Sequence, residues 1–278
     1  MKKVNKLFFG ILLFLNLCLS QTSLSILEYH PFPKKMKILD LNPTIINWSI
    51  DNSFLLLDKY KKEIFRLDNF GQINLGSLLN INSNSYGDIV WIGVSPIGIQ
   101  VLDRLENQIL FFDHRLNPIA NIKMEKKLFP EIVTIDSRGT LYLYSRSYNS
   151  IYTFENNKLN DQPFINLKNI FSNSFCVEKI SINQNFELGI LDCNSILHLF
   201  NRNGKKEKSF NAVINDAKFL ISVRDDWLVF NRQGNGISIM HQASVVIPHS
   251  STPLYDVSSL NKSLAILSND HILIMDVK

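Results

Sequence analysis

Five acidic residues recur along the chain at intervals of about 40 residues, each just before a short apolar segment. They are Asp88, Glu131, Glu178, Asp216 and Asp256, with Thr44 at the same position in a sixth copy. If the apolar segments surround a common axis, the carboxylates form a ring and repel one another unless a cation, water or basic groups compensate. Ca²⁺ accepts oxygen ligands from several loops, so the ring is a candidate metal site. Alternatively, each acid caps a turn or accepts backbone N–H groups from the next repeat.

The loops around the same positions carry aromatic and basic side chains. The aromatic residues lie in the loops that lead into the acids, and they are Tyr86, Phe129, Phe175 and Tyr255. The arginines lie in the next loop of three repeats, and they are Arg104, Arg146 and Arg232. Loops that converge on one face would make a shared rim for a protein, peptide or glycan, because aromatic residues are enriched at binding surfaces. Alternatively, the aromatic rings wedge between repeats as core, and the arginines belong to a solvated loop surface.

The usual catalytic signatures are absent from the sequence. It has no HExxH, no glycine-rich phosphate loop and no GxGxxG, and its six histidines show no metal-ligand spacing. We therefore identify no catalytic residue and expect a non-catalytic protein, with enzyme activity left to the acidic ring alone.

Two cysteines lie beyond the N-terminal segment, Cys176 and Cys193. We expect them at the ends of two adjacent strands, where pairing Ile182 with Leu188 points their side chains to opposite faces. A slip of one residue in this register would bring them together and allow a disulfide.

A five-residue sequence motif that occurs six times defines the structural element that must position these acidic, aromatic and basic residues. It has an aliphatic residue, two variable positions, a large apolar residue and usually an acid or amide. The copies span residues 64–68, 109–113, 151–155, 197–201, 237–241 and 272–276, and their starts are 45, 42, 46, 40 and 35 residues apart. A period of about 40 residues built from short strands is typical of a β-propeller.

Each repeat extends to four strands. In the third copy, two alternating strands flank Asp136 to Gly139, which suits a hairpin with Gly139 in the left-handed conformation; Asn52 takes this place in the first copy. The sixth copy lacks its fourth strand, and residues 36–41 have no partner of their own. We therefore predict an all-β fold, a six-bladed β-propeller of four-stranded blades closed by this N-terminal strand. Seven blades is the main alternative.

The third copy, DSRGTLYL followed by IYTFE, resembles the NHL-type six-bladed propellers. The resemblance covers residues 36–278 in outline and implies a toroid with a central channel and two loop faces. Such domains serve as protein-binding platforms, carbohydrate binders or enzymes. The chain also resembles lactonase-type propellers, which hold a divalent metal in the channel. This implies a metal-dependent hydrolase or lyase as the enzyme alternative, although the matching set of channel Asn and Asp residues is missing.

Residues 1–20 have the features of a secretory signal peptide. Lys2, Lys3 and Lys6 precede an apolar run of 13 residues, which is too short to span a bilayer, and a small-residue site predicts cleavage after Ser20. A lipid anchor on Cys18 is the alternative. Three of the four excess positive charges belong to this segment, so the rest of the chain lacks the basic footprint of nucleic-acid binding.

These features predict a signal peptide at 1–20, a linker at 21–35 and one propeller domain at 36–278, secreted or periplasmic. Three functions follow. The first is a non-catalytic scaffold that presents one loop face to a protein, peptide or glycan, and the second is a Ca²⁺-type hydrolase or lyase. The third is a structural part of an envelope assembly, tethered through residues 21–35.

Overall fold

The computed structural model describes residues 22–76, 86–171 and 175–278, and shows six antiparallel β-sheets. The first strand of each sheet contacts the first strands of the two neighbouring sheets, so the six sheets close into a ring. The predicted six-bladed propeller is confirmed. The predicted signal peptide lies outside the described residues, and no helix within them is long and apolar enough to cross a membrane.

In the first five blades the strands run in chain order from the axis outward, and in the sixth the N-terminal strand takes the outermost place. Blade one consists of β2 (Ile45–Trp48), β3 (Phe54–Asp58), β4 (Glu63–Leu67) and β5 (Ile73–Leu75). Blade two consists of β6 (Ile89–Ser95), β7 (Gly98–Asp103), β8 (Gln108–Phe112) and β9 (Pro118–Lys123). Blade three consists of β10 (Ile132–Ile135), β11 (Leu141–Ser145), β12 (Ser150–Glu155), β13 (Lys158–Leu159) and β14 (Ile165–Asn166), and both short strands pair with β12.

The second half of the ring repeats this plan. Blade four consists of β15 (Val177–Ile182), β16 (Leu188–Asp192), β17 (Ile196–Phe200) and β18 (Lys206–Asn211). Blade five consists of β19 (Ala217–Val223), β20 (Asp226–Asn231), β21 (Asn235–Ser238) and β22 (Ala243–Val246). Blade six consists of β23 (Asp256–Leu260), β24 (Ser263–Leu267), β25 (His271–Val277) and β1 (Leu24–Pro31). Within the described residues, the helical segments are α1 (Lys34–Ile38) and two 3₁₀ turns, Leu167–Asn169 and His249–Ser251.

The core lies between the blades. One apolar cluster fills each of the six gaps between neighbouring blades, so both faces of every sheet are covered. The second strands are buried along their whole length, which explains their nearly continuous apolar sequences. The inner strands border the channel and are only partly buried.

The segment that closes the ring differs from the predicted one. Residues 36–41 form the end of α1 and a turn, and β1, within the predicted linker, pairs with β25 from Leu24 opposite Val277 to Pro31 opposite His271. The prolines indicated a linker, but β1 is an outer edge strand, where a missing N–H costs no ladder hydrogen bond. Pro33 directly precedes α1, where proline is compatible with a helix start.

The predicted turn chemistry is confirmed. Asn52 and Gly139 both have a positive φ, of 60° and 90°. At Asp136 the carboxylate accepts the backbone N–H groups of Arg138 and Thr140, both at 2.9 Å. The same pattern of two N–H donors recurs at the side chains of Asp68, Asp113, Asn183, Asp192, Asn201 and Asn231. The acid or amide that ends the repeated motif therefore serves the turn in three of these cases, at Asp68, Asp113 and Asn201.

Candidate functional site

The candidate site is one end of the central channel, which we call the channel mouth. It is the end at which all six inner strands begin. The channel has a volume of about 640 Å³ and is lined by residues from every inner strand. Lys59 after β3, Arg232 after β20 and Tyr255 before β23 also line it. The predicted acids, arginines and aromatic residues thus come from loops or strand ends at the same end of the propeller.

Each predicted acid lies within ion-pair distance of a basic side chain. The N···O distances are 2.6 Å for Arg104–Asp88, 3.0 Å for Arg146–Glu131, 3.1 Å for Lys218–Glu178, 3.3 Å for Lys218–Asp216 and 3.5 Å for Lys179–Asp256. Asp256 also accepts the backbone N–H of Ile46, in the neighbouring blade, at 3.1 Å. The structure therefore compensates the negative charges of the predicted ring with basic side chains, which is one of the three ways considered from the sequence.

The acids are not gathered into a metal-binding cluster. Within residues 22–76, 86–171 and 175–278, no group of three or more His, Cys, Asp and Glu side chains is arranged to hold a metal ion. The carboxylates reach instead toward cations of their own blade, as at Asp88 and Glu131, or of another blade, as at Glu178 and Asp256. The geometry therefore gives the predicted Ca²⁺ site no ligand set in this part of the chain.

Two lysines of the mouth were not identified from the sequence, Lys179 and Lys218. The pairs they form link distant residues, 40 positions apart for Glu178 with Lys218 and 77 for Lys179 with Asp256. A signal existed, because in blades four and five a lysine follows the acid within two positions. The hydrogen bond that Lys218 donates to the carboxylate of Glu178 is the main cause that raises the pKa of Lys218, so this side chain stays protonated.

A β-bulge at the mouth accounts for the cysteine pair. Further along blade four, Ile182 lies opposite Leu188 as predicted. Toward the mouth the register shifts by one residue between Val177 and Lys179, which is the slip that brings the cysteines together. Cys176 and Cys193 are joined in a disulfide, with their Cα atoms 5.5 Å apart.

The four predicted rim aromatics divide into two pairs. Phe129 and Tyr255 are 41% and 40% exposed. Tyr86 packs against the cluster between blades one and two, and Phe175 against the cluster between blades three and four. Phe175 also stacks on Phe171, with ring centroids 4.0 Å apart. The rim interpretation fits the first pair, and the inter-blade alternative fits the second.

Around the mouth, every blade contributes an exposed large apolar side chain. We call the surface formed by the loops at this end the mouth face. These exposed side chains are Tyr60, Leu105, Phe129, Tyr148, Ile170, Val213 and Tyr255. In the loops at the opposite end, the described residues include Ile50, Phe70, Ile97 and Met240, which come from blades one, two and five. The mouth face therefore combines a complete apolar circle with a centre of paired charges.

No protein-family model matches the sequence, and the search of curated proteins found no significant match. Solved structures of propellers are similar in fold. A streptogramin B lyase aligns with a TM-score of 0.61 at 11% identity, over 92% of this chain and 98% of that one. Virginiamycin B lyase from Staphylococcus aureus aligns with a TM-score of 0.58 at 12% identity, over 84% and 80%. YCF48 bound to D1 peptide aligns with a TM-score of 0.59 at 11% identity, over 81% and 75%. At these identities the similarity shows the fold alone.

Proposed function

We propose that this protein is a non-catalytic binding propeller that presents its mouth face to a protein or peptide. The observation that carries the proposal is the circle of exposed apolar side chains, to which all six blades contribute, around the channel mouth. Large exposed apolar side chains that recur around one face beside charged groups fit an interaction site, since apolar contacts supply affinity and charges supply orientation. The peptide bound to YCF48 is consistent with this use of a similar fold.

The enzyme alternative, a metal-dependent hydrolase or lyase, is less well supported by the geometry of the mouth. It requires several carboxylates free to bind a cation, whereas all five predicted acids are ion-paired at 2.6–3.5 Å. A glycan ligand is also less well supported, because three of the seven exposed apolar residues on the mouth face are aliphatic, at Leu105, Ile170 and Val213, and of the four aromatic ones only Tyr255 lines the channel.

Export is part of the proposal. It is supported by the basic and apolar pattern of residues 1–20 and by the pair formed by Cys176 and Cys193, because disulfides persist in oxidising compartments.

Site-specific photo-crosslinking in the native host tests the mouth face. A photoreactive amino acid replaces Tyr255 or Phe129 in the full-length chain, and controls carry it at Ile97 or Ile50, which lie on the opposite end and are more exposed than the test positions. We expect one dominant crosslinked protein or peptide from the mouth positions and none from the controls. The pair Phe129→Ser and Tyr255→Ser should lose the partner with an unchanged thermal midpoint. A crosslink only from the opposite end would overturn the proposal.

A further inference from the structure

The charges of the channel mouth leave two cations without a counter-ion. The five predicted acids are matched by four cations, since Lys218 serves both Glu178 and Asp216. Two further cations line the channel, Lys59 and Arg232. Neither side chain has a hydrogen bond or an ion pair with any part of the chain that the structure describes. Among these eleven side chains, six cations therefore stand beside five anions, and Lys59 and Arg232 are the two cations without an ion-pair partner in the described residues.

Lys59 is held in this position by its loop. The carboxylate of Asp58 accepts the backbone N–H groups of Asn42 at 2.8 Å and of Lys61 at 3.0 Å, and so fixes the turn. The two other lysines of the loop have partners: Lys61 pairs with Asp40 at 2.8 Å, and Lys62 donates to a backbone carbonyl at 2.7 Å. Only Lys59 is left for the channel.

The surroundings of Lys59 favour an anion. Its side chain is accessible to solvent although protein atoms surround it on most sides, as expected for a group that reaches into an open channel. Burial lowers the pKa of Lys59, and the positive charge of Lys179 lowers it further. The negative charges of Asp256 and Asp88 raise this pKa but do not cancel the lowering. A partly desolvated ammonium group of this kind gains most when a ligand supplies the missing negative charge.

Arg232 has a backbone that is equally fixed. Its C=O accepts the N–H of Leu254 at 2.9 Å, and the preceding Asn231 accepts the N–H groups of Gln233 and Asn235, both at 3.0 Å. The guanidinium lies in the channel lining with Tyr255, one of the exposed aromatic rings. A planar guanidinium with five donors is suited to a carboxylate.

We propose that the channel mouth binds a carboxylate group of a peptide, held by Lys59 and Arg232, with the apolar circle contacting the rest of the ligand. This inference rests on the proposed binding function. The source of the carboxylate is an Asp or Glu side chain or the free C-terminus of the peptide. A carboxylate would supply the anionic partner that Lys59 and Arg232 lack among the described residues. A dianionic phosphate would bring a second negative charge close to Asp256, whose charge already acts on Lys59.

A peptide array tests this inference on the full exported chain. Random peptides are attached through their N-termini, and each sequence is present with a free and with an amidated C-terminus. We expect bound peptides to be enriched in Asp and Glu, or restricted to the free-carboxyl set, and the two results distinguish the two sources. The selected acidic peptides should lose affinity at least about tenfold for a variant that combines Lys59→Gln and Arg232→Gln. The control Lys61→Gln removes a neighbouring lysine that has its own partner, and should bind as wild type.

The outcomes separate the two proposals. Binders with no acidic enrichment and no dependence on a free carboxyl would overturn the carboxylate site and leave the binding function standing. An array with no binder at all would count against both. Acidic binders that the double variant retains, with the same thermal midpoint as wild type, would show that other residues hold the ligand and would also overturn the inference.

Discussion

Two buried carboxyl groups lie opposite each other in blade one, at the mouth end of its second and third strands and next to Lys59. Asp58 and Glu63 are register partners in the β3–β4 hairpin, and they are 1% and 6% exposed. Asp58 accepts two backbone N–H groups, whereas Oε1 of Glu63 has no hydrogen-bond partner. Burial, with the charge of Asp58 added, raises the pKa of Glu63 to about 7. Folding therefore favours the protonated form of Glu63.

This pKa predicts how stability depends on pH. A carboxyl group whose pKa is raised on folding contributes stability that is complete below its unfolded value of about 4.5 and is lost as the pH rises through about 7. Glu63→Gln replaces the acid with a neutral side chain and should remove this loss. We expect the variant to be more stable than wild type by on the order of 2 kcal/mol at pH 8, with a smaller difference at pH 5.

Urea unfolding at the two pH values measures the effect. Glu106→Gln is the matched control, since Glu106 is exposed in the equivalent loop of blade two. An equal change with pH in wild type and Glu63→Gln would contradict the assignment to Glu63.

At the scale of elements, local sequence patterns predicted the features that depend on residues close together in the chain, such as strands and turns. The sixth copy of the repeated motif, residues 272–276, lies within the third strand of its blade, β25, and the left-handed turns at Asn52 and Gly139 followed from residue type. The closing strand differs from the predicted one because Pro31 and Pro33 disfavour regular structure in most positions, a rule that does not apply on an outer edge strand. The lysines at positions 179 and 218 were missed because their partners come from other blades, which no local pattern identifies.

The position of β1 predicts the effect of its removal. Without β1, β25 becomes an open edge, the aromatic contact of Tyr29 with His271 is lost, and Leu24 no longer covers the cluster between blades five and six. A chain that lacks residues 1–31 should melt more than about 10 °C below a chain that lacks residues 1–21, if it stays soluble.

Complementation in trans separates loss of closure from general misfolding. A synthetic peptide of residues 22–31 should raise the midpoint of the shorter chain with increasing concentration, because it binds only the folded state. A scrambled peptide is the control. Equal midpoints for the two truncated chains would show that another segment closes the ring.

At the scale of the whole molecule, all residues of the channel mouth are carried by one closed ring of six blades. The six inter-blade clusters fix the blades relative to one another and so position the strand ends from which the mouth-face loops start, while side chains such as Asp58 and Asn231 fix the turns of these loops. The disulfide between Cys176 and Cys193 lies on this face, with both residues exposed, and links the loop before β15 to the loop after β16. Its redox state therefore reports the compartment in which the mouth face operates.

Export predicts both the N-terminus and the thiol count of the mature protein. Cleavage after Ser20 removes Cys18, so the mature chain begins at Gln21 and keeps two cysteines. We expect mass spectrometry of the protein from its host to give this N-terminus, and alkylation to label no thiol before reduction and two after it. A chain produced in a reducing cytoplasm without residues 1–20 should label both thiols at once, because glutathione and thioredoxin keep such cysteines reduced. A lipid-modified Cys18 at the N-terminus would instead establish the membrane-anchored alternative, and an uncleaved N-terminus would contradict export.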